Sequence, residues 1–214
     1  MVKMKKVIIW GASGHAKVIR PILREQGFYV VALIDRDRSV KSFIPDCPLF
    51  QSDEDLPFTA NDDVSFAIAI GGACGRDRMQ IHDRLSRRGF YPVTLVHPTA
   101  WVAETARLKS GAQVLGMAAV SEEAQIGMQS IINTNASVDH ECIIGQGCHI
   151  MPGATIAGCV ELQDFVTIGS NATIFPRVKI GQGAIIGAGS VITKDVTENT
   201  KVVGGRLTTV NESF

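Results

Sequence analysis

From Val96 to Ile192 every sixth residue is aliphatic: Val96, Val102, Leu108, Val114, Val120, Ile126, Ile132, Val138, Ile144, Ile150, Ile156, Leu162, Ile168, Ile174, Ile180, Ile186 and Ile192. The run has no break or insertion. Four places after each stands a small or branched residue, from Ala100 through Ser130, Cys142 and Cys148 to Val196. A period of six fits neither the 3.6 of a helix nor a long alternating strand. It fits a solenoid whose short strands each turn one large and one small residue inward before a corner. The corners read IGQG, IGSN and IGAG, and glycine and asparagine tolerate the positive φ that a tight corner demands.

The residues before the repeat follow another pattern. KKVIIWG is an apolar strand, GASGH a glycine turn, AKVIRPILREQG an amphipathic helix stopped by glycine, and FYVVALID a second buried strand ending in Asp35. A polar, proline-bearing stretch covers 36–63. VSFAIAIGG is then a further strand and turn, CGRDRMQIHDRLSRRGF a helix ending near Gly89, and YPVTLV leads into the repeat. The expected organisation is a small Rossmann-like parallel α/β domain over 1–95 and a solenoid domain over 96–214. The glycine turn places backbone N–H groups and a helix N-terminus where a phosphate fits, and Asp35 lies where a ribose-binding carboxylate would. Taken alone, GASGH is also compatible with a purely structural turn or with NAD binding.

Composition narrows the partners. The 21 basic residues equal the 21 acidic ones, so net charge points to neither nucleic acid nor an anionic membrane, and a small-molecule substrate is expected. No run reaches the roughly 18 apolar residues of a membrane span. The MVKMKKVIIWGASGH start has too short an apolar run for a signal peptide, so the cytoplasm is the expected location. Five cysteines with no CxxC pair imply reduced thiols and no zinc site.

The six-residue pattern over 96–197 resembles the hexapeptide-repeat acyltransferases, whose coils have three six-residue faces and form a left-handed parallel β-helix. The left hand comes from the resemblance alone, since the general crossover preference is right-handed. Seventeen hexads at three per coil make between five and six coils, a prism roughly 27 Å tall at about 4.8 Å per coil. A short Rossmann-like domain carrying G-x-x-G-H-A-K-V ahead of such a prism, with IGG near 70 and HPTA at 97–100, resembles the bacterial nucleotide-sugar acetyltransferases of the PglD and NeuD type. That resemblance implies a homotrimer of parallel prisms, acetyl-CoA as co-substrate, no metal, and a nucleotide-linked amino sugar as acceptor, with UDP, GDP and dTDP all open.

The resemblance also assigns roles. In NASVDHECIIG, residues 135–145, His140 matches the family's general base and Glu141 its orienting partner. The chemistry suits the types, since imidazole is a proton acceptor near neutral pH and a carboxylate fixes its tautomer. His149 matches the second family histidine, beside the thioester, and Ser170 with the Gly187–Ala188 turn is expected on acetyl-CoA. Gly11, Ser13, Gly14, His15, Asp35, Arg36, Gly71 and Gly72 match the nucleotide-sugar positions. Ser13 replaces a glycine of the family's GGGGH turn, and the VVGGRLTTV ending departs from G-x-P-A-[KR]. A backbone N–H near Gly158, one coil beyond His140, is expected to meet the oxyanion. Cys142 and Cys148 fall on inward positions and are expected in the core, His82 on a solvent-facing helix side, and His97 at a turn. N-acetylation of a 4-amino-deoxy sugar is the leading expectation. O-acetylation of a sugar hydroxyl and a non-catalytic binding protein are the alternatives, and an NAD oxidoreductase lacks the substrate domain it would need.

Overall fold

The computed structural model describes residues 4–59, 62–204 and 206–209, the last four as backbone. The first domain contains β1 (Lys5–Trp10), α1 (Gly14–Glu25), β2 (Phe28–Ile34), β3 (Leu49–Phe50), β4 (Val64–Ile68), α2 (Gly75–Arg87) and β5 (Tyr91–Pro92). These strands form one parallel sheet in the order β3-β2-β1-β4-β5. The apolar run of β1 is explained by its position at the centre. Val7 and Ile9 pack toward α1, while Ile8 and Trp10 pack with Ile81 and Leu85 of α2, so both pleat faces are covered. Within the polar stretch, β3 was not foreseen. Two residues are too short to show a period, and only their pairing with Leu33 and Ile34 makes them a strand.

From Leu95 onward the chain makes a two-residue strand every six residues, β6 (Leu95–Val96) to β22 (Val191–Ile192). Each pairs in parallel with the strand 18 residues away, as Ile143 with Glu161 and Ile144 with Leu162. Three sheets result. Face one carries strands starting at Leu95, Gln113, Ile131, His149, Thr167 and Ile185; face two starts at Trp101, Ala119, Ser137, Thr155, Thr173 and Val191; face three at Arg107, Gln125, Ile143, Glu161 and Lys179. The hexad aliphatics and the small residues four places on fill the prism interior, including Cys142 and Cys148. Burial pushes these two thiols up to about 11 and about 12. The strand β23 (Thr200–Val203) continues face one and pairs antiparallel with β24 (Arg206–Thr209). Gly205 and Val210, within the VVGGRLTTV ending, lie outside the described residues.

Not every corner uses the expected glycine or asparagine. Met117, Glu123, Gln129, Glu141, Cys159, Phe165 and Arg177 all have φ between 54° and 63°. The left-handed conformation costs a non-glycine residue roughly 1–2 kcal/mol. Coil stacking imposes it wherever the 18-residue register puts a corner, whatever the residue there.

The α/β domain packs against face one. Leu95, Leu115 and Ile131 join the same apolar cluster as Val7, Ile9 and the buried side of α1. On the other side α2 meets the corner between faces three and one. At Gly75 an added Cβ would lie 2.1 Å from the Gly147 carbonyl oxygen, so the helix start and the corner touch backbone to backbone. This docking overturns the expectation for His82. It is 8 % exposed, meets the Phe66 ring edge-on and receives a hydrogen bond from Gln129 Nε2 at its Nδ1, 3.0 Å away. Its helix side looks basic because Arg78 and His82 insert into an interface supplied with backbone acceptors.

Candidate functional site

Two groups of chemically equipped residues emerge, on different sides of the prism. The first surrounds a cavity of about 750 Å³ at the C-terminal ends of β1 and β4. Gly11 has φ 100°, and a Cβ there would lie 2.5 Å from the Ala69 carbonyl oxygen, so only glycine allows the two turns to approach this closely. Ser13 occupies the N-cap of α1 without a side-chain cap bond, and Gly14 and His15 of the first turn line the cavity. Free helix N–H groups facing a cavity are suited to an anion. The Asp35 carboxylate accepts from Ala12 N–H at 2.9 Å, tying the glycine turn to the end of β2. Arg36 lies over the Trp10 ring, 5.7 Å from its centroid. Gly71 also lines the cavity, whereas Gly72, expected beside it, does not, and its carbonyl accepts from His149 instead. The sequence reading missed Trp10 and one side of α2: Asp77, Gln80, Ile81 and Arg84. Their i, i+3, i+4, i+7 spacing was a usable signal, masked because the same helix also carries an apolar side. Arg84 is held toward the cavity by Asp53, with Nη2 2.7 Å from Oδ1.

The second group lies at the corner joining faces two and three. His140 sits in the turn after the Ser137–Val138 strand, and the next residue, Glu141, is left-handed at φ 57°. Glu141 Oε2 is 2.9 Å from His140 Nδ1, and the His140 N–H donates to Asp139 Oδ1 at 2.8 Å. A carboxylate only accepts, so Nδ1 carries the proton and Nε2 is left with the lone pair. The ring stacks on Gly158 of the next coil, where a Cβ would fall 2.5 Å from Nε2. Cys159 Sγ reaches Glu141 Oε2 at 3.7 Å. Both His140 and Glu141 are about half exposed. The pair is therefore an accessible imidazole base with its tautomer set from behind.

The residues expected on acetyl-CoA do not all converge. Ser170 and the Gly187–Ala188 turn stack one coil apart at the corner between faces one and two, with Gly189 N–H donating to the Ser170 carbonyl at 2.8 Å. His149 lies instead on face one beneath the α/β domain and is 4 % exposed. Its Nδ1–H donates to the Gly72 carbonyl at 3.1 Å, and Nε2 accepts from Asn133 Nδ2 at 3.0 Å. Both ring nitrogens are thus engaged within the chain. Burial pulls its pKa down to about 4, so the ring is neutral. His97 caps its own turn, accepting from Thr99 N–H at 3.1 Å.

The faces differ in what they show outward. The first residues of the face-two strands are Trp101, Ala119, Ser137, Thr155, Thr173 and Val191, none of them charged, with Trp101 and Val191 more than half exposed. Face three shows Arg107, Glu161 and Lys179. No helix among the described residues is long and apolar enough to cross a membrane.

Comparison with known proteins agrees with this architecture. The PglD N-terminal domain family matches residues 6–85, and the bacterial transferase hexapeptide family (six repeats) matches 141–176 and 159–194. A perosamine N-acetyltransferase from Caulobacter crescentus, solved with CoA and GDP-perosamine as a histidine-to-asparagine mutant, superposes with a TM-score of 0.87 at 31% identity over 97% of each chain. The acetyltransferase domain of PglB from Neisseria gonorrhoeae gives a TM-score of 0.86 at 28% identity, covering 96% of this chain and all of that one. An acyl-[acyl-carrier-protein]–UDP-N-acetylglucosamine O-acyltransferase from Nautilia profundicola is 37% identical over 82 residues, 38% of this chain and 32% of its own. This chain thus matches about a third of the length of that curated relative. The PglD N-terminal domain match, the hexapeptide repeats and the match over 97% of each chain to the Caulobacter enzyme show that the chain belongs to the hexapeptide-repeat nucleotide-sugar N-acetyltransferases of the PglD type.

Proposed function

We propose that the protein transfers the acetyl group of acetyl-CoA directly to the amino group of a nucleotide-linked 4-amino-deoxy sugar, with His140 as general base. The observation that carries the catalytic part is the His140–Glu141 contact of 2.9 Å beside Gly158. Glu141 holds the proton on Nδ1, so Nε2 takes one from the attacking amine as its nitrogen adds to the thioester carbonyl. The tetrahedral intermediate then collapses with cleavage of the C–S bond, and the CoA thiolate leaves with the proton that His140 Nε2 took from the amine, which restores the neutral imidazole. The Gly158 N–H is the proposed oxyanion donor, since amide dipoles fixed in advance stabilise the charge that develops. Cys142 and Cys148 are buried with raised pKa values, so neither suits an acyl-enzyme route.

The cavity beside Gly11–His15 is the proposed site of the nucleotide end of the acceptor. It adjoins face one, whereas His140 lies at the corner of faces two and three, across the prism. A second copy supplies what one chain lacks. Uncharged face two is the proposed contact of a homotrimer, which sets the His140 corner of one copy near the Ser170 and Gly187–Ala188 corner of the next. Acetyl-CoA then lies in the groove between them.

Thiol release from acetyl-CoA with a panel of UDP-, GDP- and dTDP-linked 4-amino sugars tests the reading. At least one sugar is expected to be acetylated at nitrogen, and His140→Ala lowers kcat roughly 10²–10⁴-fold. Release only with sugars lacking an amine would replace N- by O-acetylation. An alanine variant at wild-type turnover would remove His140 as base.

A further inference from the structure

The turn after β4 is shaped from outside. Three alternate carbonyls along it are taken by side chains: Ile68 O by Gln113 Nε2 at 2.7 Å, Ile70 O by Arg78 Nη1 at 3.2 Å and Gly72 O by His149 Nδ1 at 3.1 Å. Gln113 and His149 belong to the prism, not to the domain whose turn they hold. Arg78 is fully buried and also donates to Gln129, Gly147 and Cys148 carbonyls, so it ties α2 to the same prism corner.

Gln113 does more than hold the turn. It is 1 % exposed, and its Oε1 lies 2.8 Å from His15 Nε2. A backbone carbonyl can only accept, so the Gln113 amine must face Ile68 and its oxygen must face His15. An amide oxygen also only accepts, so His15 Nε2 carries the proton. Burial lowers the His15 pKa, against a smaller upward effect of Gln113, and positive Arg78 nearby lowers it further. The ring is then neutral, with its remaining lone pair on Nδ1, and it lines the cavity.

We propose that Gln113 is a positioning residue for the nucleotide-sugar cavity: it fixes the Ile68 turn and the Nε2–H tautomer of His15, so that His15 offers the substrate a hydrogen-bond acceptor at Nδ1. This rests on reading the cavity as the nucleotide-sugar site. Ionised phosphate oxygens carry only lone pairs, so Nδ1 selects a hydroxyl or amine of the sugar rather than the pyrophosphate. The prism thereby shapes acceptor binding as well as catalysis, and the α/β domain is not a self-sufficient binding module.

The direct measurement is imidazole ¹⁵N NMR of the full chain, with the His15 signals assigned through His15→Asn. In the wild-type protein near neutral pH, Nε2 is expected to show a protonated shift and Nδ1 an unprotonated one; a protonated Nδ1 overturns the proposal. In Gln113→Leu the two shifts are expected to move toward a mixture of tautomers, and KM for the acceptor to rise about tenfold or more, as for loss of a buried hydrogen bond. The KM for acetyl-CoA and kcat stay within about twofold. An unchanged acceptor KM, or a rise in both KM values with a matching fall in kcat, also overturns it. The NMR readout needs no substrate, so a failed acetyl-transfer assay would remove the proposed function while leaving the tautomer result to be judged by itself.

Discussion

At the scale of single residues, Gly158 shows how strictly the prism positions a side chain it does not bury. Its backbone has no positive φ to satisfy, so its requirement is spatial: the His140 ring occupies the volume a Cβ would take, 2.5 Å from Nε2 and 2.6 Å from Cε1. In Gly158→Ala the exposed ring can swing away, so folding is little affected while the proposed base leaves its place. A displacement of about 1 Å at a reacting group can cost roughly 10²-fold in rate. Gly158→Ala is therefore expected to lower kcat by about that factor with Tm within about 2 °C of wild type, measured by steady-state kinetics and thermal melting. Normal turnover in this variant would show that the stacked position of the ring is not the working one. His140 itself was legible from its neighbours in VDHEC. His149 was legible as a special residue but not in its setting, because no local pattern reveals that a second domain covers face one.

At the scale of the element, the two-residue strand is the unit that carries stability, and its two positions have opposite roles. Ile144 is 2 % exposed in the prism core, while Ile143 beside it is 49 % exposed on face three. Truncating the first leaves a cavity in a column stacked on both sides; truncating the second removes atoms from solvent. Ile144→Ala is expected to cost about 2–5 kcal/mol and Ile143→Ala within about 0.5 kcal/mol. Urea unfolding of the two variants checks this, and equal losses would contradict the inward and outward assignment. This alternation follows from the hexad alone. The helices were equally readable from their periods, but β3 and the burial of His82 were not, since each depends on a partner far along the chain.

At the scale of the whole molecule, the three faces divide the labour. Face one is covered by the α/β domain, face three is charged, and face two is uncharged with Trp101 and Val191 exposed. An arginine at the centre of face two, in Thr155→Arg, is expected to convert a trimer to monomers and to abolish acetyl transfer; Gln125→Arg on face three leaves both intact. Light scattering at micromolar concentration, run beside the thiol-release assay, decides it. A Thr155→Arg monomer with full activity would contradict a site shared between copies.

The unbroken period of six was enough to read a solenoid and its inward residues, because it sets one large and one small residue of every hexad on the buried side; three hexads to a coil, and so the coil number, came from the family resemblance. The βαβ start was readable in the same way, since strand, turn and helix signals are local, and the His140–Glu141 pair was singled out through its match to the family motif. Which face the α/β domain covers became visible only in three dimensions, and with it the enclosure of His149, the burial of Arg78 on carbonyls, and the reach of Gln113 to His15 98 residues earlier. Those contacts arise where two domains meet, and their energetics depend on burial and on acceptors contributed from distant parts of the chain. No window of sequence contains both partners.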